Sequence, residues 1–437
     1  MRHILVECQG RSHASIVMSR KVDVKMYRDG SDANETVIPF GTTLIRMAAT
    51  LRHPELLAYR DEFPLLSRST YLNTCSLGAL TDRSRAKLAE FLDQWGSLGA
   101  RAWYMHWLEE LVGLRDDFGW TIGRPAEEIA LAPNVSVALA SLASAFDAPA
   151  ARDPGRTRVI TTTLDFPTLG HQWLARTPLG VEVVVLPSPD GLTVPLSVFD
   201  AAIDERTLLV ATGHVYFTTG AVQDITGLAA LARSRGALTV IDAYQATGLL
   251  PTDIAATGVD AYVSGTLKWL FGGPGNAFLW LRPELLEALA PTTTGWFSSA
   301  RQFAFDVASL EFASDARKFE MGTPSVPSAF VARGAMELVR EIGIPRLHQR
   351  TLDLGALAIR LADERGLSVR AVRDDAWRGG IVAIEVADPK PVVDELARRG
   401  IIVDYRPGIV RLSPAFYNTE AEVEAVIGAL AELILPS

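Results

Sequence analysis

The sequence predicts an α/β fold, with a mostly parallel sheet covered by helices in a large domain and a smaller α+β domain after it. Three observations predict it. Short apolar, β-branched runs alternate with helical patterns from about residue 128 to 281. Two of those runs, 238–241 and 259–264, end where polar residues and loops begin. A chain of 437 residues also suffices for a large domain with a smaller one attached.

Taken in order, residues 1–62 read as an N-terminal extension of unassigned role. There Val22, Val24 and Met26 alternate with charged residues like an edge strand, 29–34 is a turn cluster, and 44–57 has a helical pattern. Residues 63–325 read as the large domain, with a first part placed to pack on the small domain, and 326–437 as the small domain. A short strand and turn is expected at 71–74. Leu88, Phe91, Leu92 and Trp95 then share one helical face, and Trp103, Trp107, Leu108, Leu111 and Val112 another; their aromatics read as core packing. A strand at 128–132 leads into an alanine-rich helix that ends near Phe146. Strands follow at 158–162, 181–185 and 208–211, with helices at 196–203 and 225–235. Past the irregular stretch around 295–324, helices are expected at 328–342, 344–365 and 391–399 and from Glu420 onward. Strands are expected there at 367–372, 381–386, 401–405 and 409–412.

Composition bounds the class. Hydrophobic residues make up 48% and charged ones 21%, a globular profile. With a net charge of -9 and no basic block, a nucleic-acid partner is not expected. Cys8 and Cys75 are the only cysteines, which excludes a disulfide framework and fits a reducing compartment. No apolar run reaches spanning length and residues 1–10 lack a signal-peptide core. The expectation is a cytoplasmic enzyme with no membrane partner and no metal.

The chemistry concentrates between Leu238 and Leu281. Asp242 closes one apolar run and Lys268 follows another, so both stand at strand exits, where open α/β sheets form their ligand crevice. A carboxylate and a lysine aimed at one pocket suit pyridoxal 5'-phosphate (PLP). Its aldehyde forms a Schiff base with a lysine amine, and its ring nitrogen is kept protonated by a carboxylate. Gln245 is placed to donate to the ring hydroxyl oxygen and Thr266 to reach the phosphate. Singly, each residue has an ordinary alternative: a turn or N-cap for Asp242, a snorkelling surface side chain for Lys268. Gly272, Gly273, Pro274 and Gly275 match no phosphate-loop spacing and read as a turn. The helix start at Val135 and Ser136 offers free amides and a positive dipole end for a phosphate, although Asn134 or Ser136 equally suits a plain N-cap.

The segments DAYQATG, SGTLKW and GGPGNAFLW strongly resemble the class V aminotransferase branch of fold-type I PLP enzymes, and the GGPG turn is most similar to kynureninase and its relatives. The resemblance extends from about Tyr71 to the C-terminus. It implies a seven-stranded-type sheet, Lys268 as the Schiff-base lysine and Asp242 as the partner of the pyridinium nitrogen. It also implies Ser136 at the phosphate and Phe166 against the cofactor ring, a core phenylalanine being the alternative. His214 closes a strand near the pocket, with ligand contact and structural hydrogen bonding both open. Trp296 and Thr323 are implied to reach the phosphate from a partner subunit, which requires a homodimer with shared active sites. Within VRLSPAFYNTEAEVEAVIGAL, Arg411 matches the arginine that grips the substrate carboxylate, for which a guanidinium gives a planar, bidentate grip; a structural salt bridge is the alternative.

The implied reaction is kynureninase-type cleavage at the β-carbon of an α-amino acid. An aminotransferase, a carbon-sulfur lyase, an epimerase and a non-catalytic PLP-fold protein are the alternatives. Kynureninases carry a tyrosine just before the lysine, and here that position is Leu267. Desulfurase chemistry needs a nucleophilic cysteine on a mobile loop near the small domain, and none follows Cys75.

Overall fold

The computed structural model describes residues 51–147, 153 and 155–436. The readings at 22–26 and 29–34, and the first half of that at 44–57, lie outside the described residues. His53–Ser437 form one compact unit.

Among the described residues thirteen strands run in chain order: β1 (Thr70–Tyr71), β2 (Ile129–Ala132), β3 (Arg158–Thr162), β4 (Glu182–Leu186), β5 (Thr207–Gly213), β6 (Leu238–Asp242), β7 (Ala261–Gly265), β8 (Ala277–Leu281), β9 (Val369–Arg370), β10 (Val382–Glu385), β11 (Ile401–Ile402), β12 (Asp404–Arg406) and β13 (Ile409–Leu412). Seven of them form one sheet in the order β2-β8-β7-β6-β5-β3-β4. Only β8 runs against its neighbours; the other pairs are parallel, as expected. Helices Pro167–Leu174, Leu196–Ala202 and Ile225–Ser234 supply the crossovers from β3 to β6.

Alternation along the strands sorts their side chains between two cores. Ile241, Tyr262, Phe278 and Trp280 point to one face, into a core shared with Leu111, Phe118, Met336 and Leu338. Val240, Ala261, Val263, Ala277 and Leu279 point to the other, against Ala138, Leu139 and Leu142 of helix Val135–Ser144. Burial on both faces is why these strands read as continuous apolar runs rather than as alternating ones.

A second, antiparallel sheet has the order β12-β13-β10-β9. Helices Val326–Ile342, Ile344–Glu364, Pro389–Arg398 and Glu420–Ile434 belong to this half of the chain. The early segment 70–78 ties the two sheets together. β1 pairs in parallel with β11, and Asn73 bridges Ser413. Gly78 then donates its N–H to Leu267 O at 2.8 Å. A Cβ at residue 78 would stand 2.3 Å from Lys268 O, so only glycine permits this approach.

Three expectations need correction. The single strand read at 401–405 is two pieces in different sheets, breaking at Val403 so that Ile401–Ile402 meets β1 and Asp404–Arg406 meets β13. The described end of the 44–57 helix is instead a 3-10 helix, Pro54–Glu62, that starts after a left-handed His53. Pro54 lacks an N–H and disfavours helical backbone at His53, so no α-helix passes through. Trp95, expected in the core, is exposed, as are Leu92 and Val112 on the same helical faces. Phe91 packs on Trp107 and Phe330, while Trp95 only leans on Phe91 from outside. Helical periodicity reports an apolar face; the partner element decides how much of it is covered.

Among the described residues no helix is long and apolar enough to cross a membrane.

Candidate active site

Strand register brings the two chemical residues together. Asp242 ends β6, flanked by Gly213 of β5 and Val263 of β7, and β7 runs on to Gly265 just before Lys268. Both line a cavity of about 300 Å³ at the strand exits. Asp242 Oδ1 accepts the Tyr244 backbone N–H at 2.9 Å, and Oδ2 has no hydrogen-bond donor among the described residues. Burial raises the pKa of this carboxyl, while the Tyr244 N–H and the Lys268 charge oppose the rise. The Lys268 amine forms no hydrogen bond or ion pair among the described residues and sits 4.6 Å from the centre of the Tyr244 ring. Burial pulls its pKa down to about 8.

A buried carboxylate with an open acceptor is costly unless a donor arrives. A protonated ring nitrogen supplies one, and an unpaired amine near neutrality suits carbonyl capture, so these residues fit PLP. The model of the class-V aminotransferases matches residues 113–426. This chain belongs to that family. It is a PLP-dependent enzyme.

The uncharacterized aminotransferase YcbU of Bacillus subtilis (strain 168) is 34% identical over 373 residues, covering 85% of this chain and 96% of that relative. A kynureninase of Pseudomonas fluorescens is 29% identical over 392 residues, covering 87% of this chain and 92% of its own. Among solved structures, the apo cysteine desulfurase from Thermococcus onnurineus NA1 superimposes with a TM-score of 0.77 at 22% identity, over 89% of this chain and 99% of that one. The cystine C-S lyase C-DES, in complex with cysteine persulfide, gives 0.78 at 20% identity over 86% of this chain and all 100% of that one. These two likenesses bear on the fold.

Of the other predicted cofactor- and substrate-binding residues, three line this cavity. Phe166 is partly exposed and meets Phe217 edge to face, ring centres 5.2 Å apart. Gln245 donates to Cys75 O at 2.8 Å and accepts from the Trp269 indole at 3.0 Å, which leaves one amide hydrogen uncommitted. Arg411 is 1% exposed, with its guanidinium donating to Phe217 O, Ser76 Oγ and Asp404 Oδ2. The same Asp404 oxygen accepts from Ser76 and, at 2.8 Å, from Arg406. Burial works to raise the Asp404 pKa, and Ser76 with the two arginines holds it below the ordinary carboxylate value. Two guanidiniums thus share one carboxylate.

The cavity lining does not include Val135, Ser136, His214, Thr266, Trp296 or Thr323. Val135 and Ser136 open helix Val135–Ser144, where Asn134 caps the Val137 N–H at 2.9 Å and Ser136 Oγ lies 3.0 Å from Thr168 Oγ1. Register aligns Ala132 with Ala277 and Ala277 with Gly265, so this helix start is two strand spacings from the lysine turn, roughly 10 Å. Thr266 spends its hydroxyl hydrogen on Gly273 O at 2.9 Å, closing the glycine turn after Lys268. His214 faces Tyr262, its Nδ1 2.9 Å from the phenol oxygen, and burial pulls the imidazole down to about 4. Trp296 lies in a hollow of about 610 Å³ formed within 294–311, and Thr323 is exposed.

The cavity also contains residues that sequence reasoning assigned no role. Cys75 and Ser76 arrive on the 70–78 segment, Phe217 follows β5, and Asp404 and Arg406 come from β12. Asp165 accepts from Thr161, Thr162, Thr212 and the Gly213 N–H, knotting the exits of β3 and β5, and burial pushes it up to about 6. Tyr244 stands in the DAYQATG segment, two residues past Asp242 in a strand-exit turn. That position alone was a signal.

Proposed function

We propose that this enzyme acts on an α-amino acid through Lys268 and that its reaction is kynureninase-type cleavage at the β-carbon. The observation that carries the reading is that Asp242, Lys268 and Arg411 line one cavity. PLP, when bound, supplies an aldehyde for amine capture and an electron sink for bond cleavage next to the α-carbon. Lys268 holds the cofactor, and its amine, near neutrality by burial, is suited to exchange a proton with the substrate. Asp242 keeps a proton on the ring nitrogen. Gln245 offers its remaining amide hydrogen to the ring hydroxyl oxygen, and Phe166 gives a flat face to the ring. Arg411 holds the substrate carboxylate: with Arg406 it shares a single aspartate, so one positive charge is left for an incoming anion.

At the phosphate we assign the helix start at Val135 and Ser136, together with the Thr266 turn. Trp296 and Thr323 join from a second copy in a homodimer. The aromatic surface of Tyr104, Trp296, Phe303 and Phe305 supports such an assembly, since all four are exposed and their ring centres lie about 6 Å from a neighbour's. Light scattering on the purified chain tests it, and a monomer at micromolar concentration would sink the shared-site reading.

The cleavage reading draws on the kynureninase relatives and the GGPG turn. Leu267 and the aminotransferase relative favour a second reading, transamination. Cys75 does not support desulfuration: it is buried, with its N–H on Ser413 Oγ and its C=O on Gln245, so it lacks the reach of a swinging nucleophile.

The test is purified protein with L-kynurenine, followed by absorbance and product analysis. Release of anthranilate and alanine supports the cleavage reading. Cofactor absorbance without anthranilate leaves the PLP site standing and moves the assignment to transamination, read by amino transfer to an α-keto acid. Lys268→Ala removes both the covalent cofactor signal and turnover; retained activity would falsify the role of Lys268.

A further inference from the structure

We propose that Tyr244 is the positioning residue for the Lys268 amine, its ring face holding that amine in place and favouring its protonated form. The proposal deepens the reading above and rests on Lys268 binding PLP.

Tyr244 is fixed at two ends. Its backbone N–H binds Asp242 Oδ1 at 2.9 Å. Its ring lies in the gap left by a glycine: a Cβ at Gly265 would meet Tyr244 Cε2 at 2.7 Å and its hydroxyl oxygen at 3.0 Å. Gly265 ends β7, the strand that delivers Lys268, so the strand exit that presents the amine also clamps the ring beside it. The ring centre is 4.6 Å from Lys268 Nζ, within the range where an aromatic face attracts a cation. The amine has no hydrogen bond or ion pair among the described residues, so the ring face is the direct contact that holds it.

The surrounding charges leave the ring room to matter. Burial works against the ammonium form, Asp242 from β6 and Cys75 from the 70–78 segment favour it, and Arg411 of β13 and Arg406 of β12 oppose it, giving a value of about 8. The tyrosine hydroxyl stays neutral, because burial and the Asp242 charge raise it above the ordinary phenol range, against the Leu267 N–H. The contribution therefore comes from the ring face.

The experiment uses the full-length chain, freed of cofactor and offered PLP over a pH series, with borohydride fixation and mass mapping of the labelled peptide. Capture by the unaltered chain rises to its half-maximal rate near pH 8. Tyr244→Leu lowers that midpoint by about 0.5 to 1 pH unit, and Tyr244→Phe, which keeps the ring, restores it. A Tyr244→Leu midpoint equal to that of the unaltered chain overturns the proposal, as does a Tyr244→Phe midpoint that moves as far as the leucine variant's. If Tyr244→Leu does not fold, a series of fluorinated phenylalanines at 244 keeps the shape and drains charge from the ring face. A stepwise fall in midpoint supports the proposal and a constant midpoint overturns it. Label on a peptide other than that of Lys268 overturns the cofactor reading and the proposal with it; label at Lys268 with an unmoved midpoint overturns the proposal alone.

Discussion

His214 makes the stability of this enzyme sensitive to mild acid, and its variant His214→Asn isolates the effect. The imidazole is buried against Tyr262 and burial pulls its pKa from 6.5 down to about 4. A folded-state value below the unfolded one means that the unfolded chain takes its proton first as pH falls. Stability from this group is therefore complete above about pH 6.5 and lost progressively toward pH 4, at up to about 1.4 kcal/mol per pH unit. Between pH 6 and 5 the loss comes to about 1 kcal/mol. Asp165 works in the opposite sense: its folded value of about 6 lies above the ordinary 3.8, so the folded chain takes that proton first and gains stability as pH falls. The slope of the unaltered chain mixes the two, whereas the difference between it and His214→Asn cancels Asp165. The assay is urea denaturation followed by tryptophan fluorescence at pH 7, 6 and 5, with refolding checked at each. The stability gap between the two proteins should shrink by about 1 kcal/mol from pH 6 to pH 5. A gap independent of pH refutes a neutral, buried His214.

Three further outcomes follow from the packing. Glu320 receives Arg115 through both carboxylate oxygens at 2.7 and 2.9 Å and also accepts the Leu131 N–H, so Glu320→Ala strands a buried guanidinium at a cost of about 3–5 kcal/mol in urea unfolding. Pairing Glu320→Leu with Arg115→Met recovers most of that loss. Gly78→Ala pushes a methyl to within 2.3 Å of Lys268 O and 2.8 Å of Phe271 Cα, both backbone atoms, and should weaken cofactor retention on dialysis about tenfold or more. With the amino acid that turns over, Arg411→Lys raises KM by roughly tenfold to a hundredfold, more than it lowers kcat, because an ammonium cannot reproduce a bidentate grip; an unchanged KM removes Arg411 from the substrate.

Much of the fold and the centre of the site were legible because they are local. Apolar runs such as 238–242 and 261–265 declare buried strands, and a polar residue at a strand exit declares where its side chain emerges. Asp242, Lys268 and the glycine turn all fall within one such stretch. Cys75, Ser76, Asp404 and Arg406 were illegible for the opposite reason: they reach the cavity through pairings between distant parts of the chain, of which no local pattern gives notice. The break at Val403 shows the same limit, since an extended run does not reveal that its halves belong to different sheets. His214 ended a strand as expected, but which way its ring turned depended on Tyr262, 48 residues later.

The segment 70–78 has a consequence for how the protein is made. It is held by β11 and by Ser413, whose hydroxyl receives the Cys75 N–H across 338 residues of chain. A nascent chain emerging from the ribosome exposes Asp242 and Lys268 well before that holdfast exists; Cys75 can meet Gln245 by then, but Ser76 lacks its partners Asp404 and Arg411 until the last strands are synthesised. Closure of the cavity around a cofactor thus waits for β12 and β13, which bring Asp404, Arg406 and Arg411 to its wall.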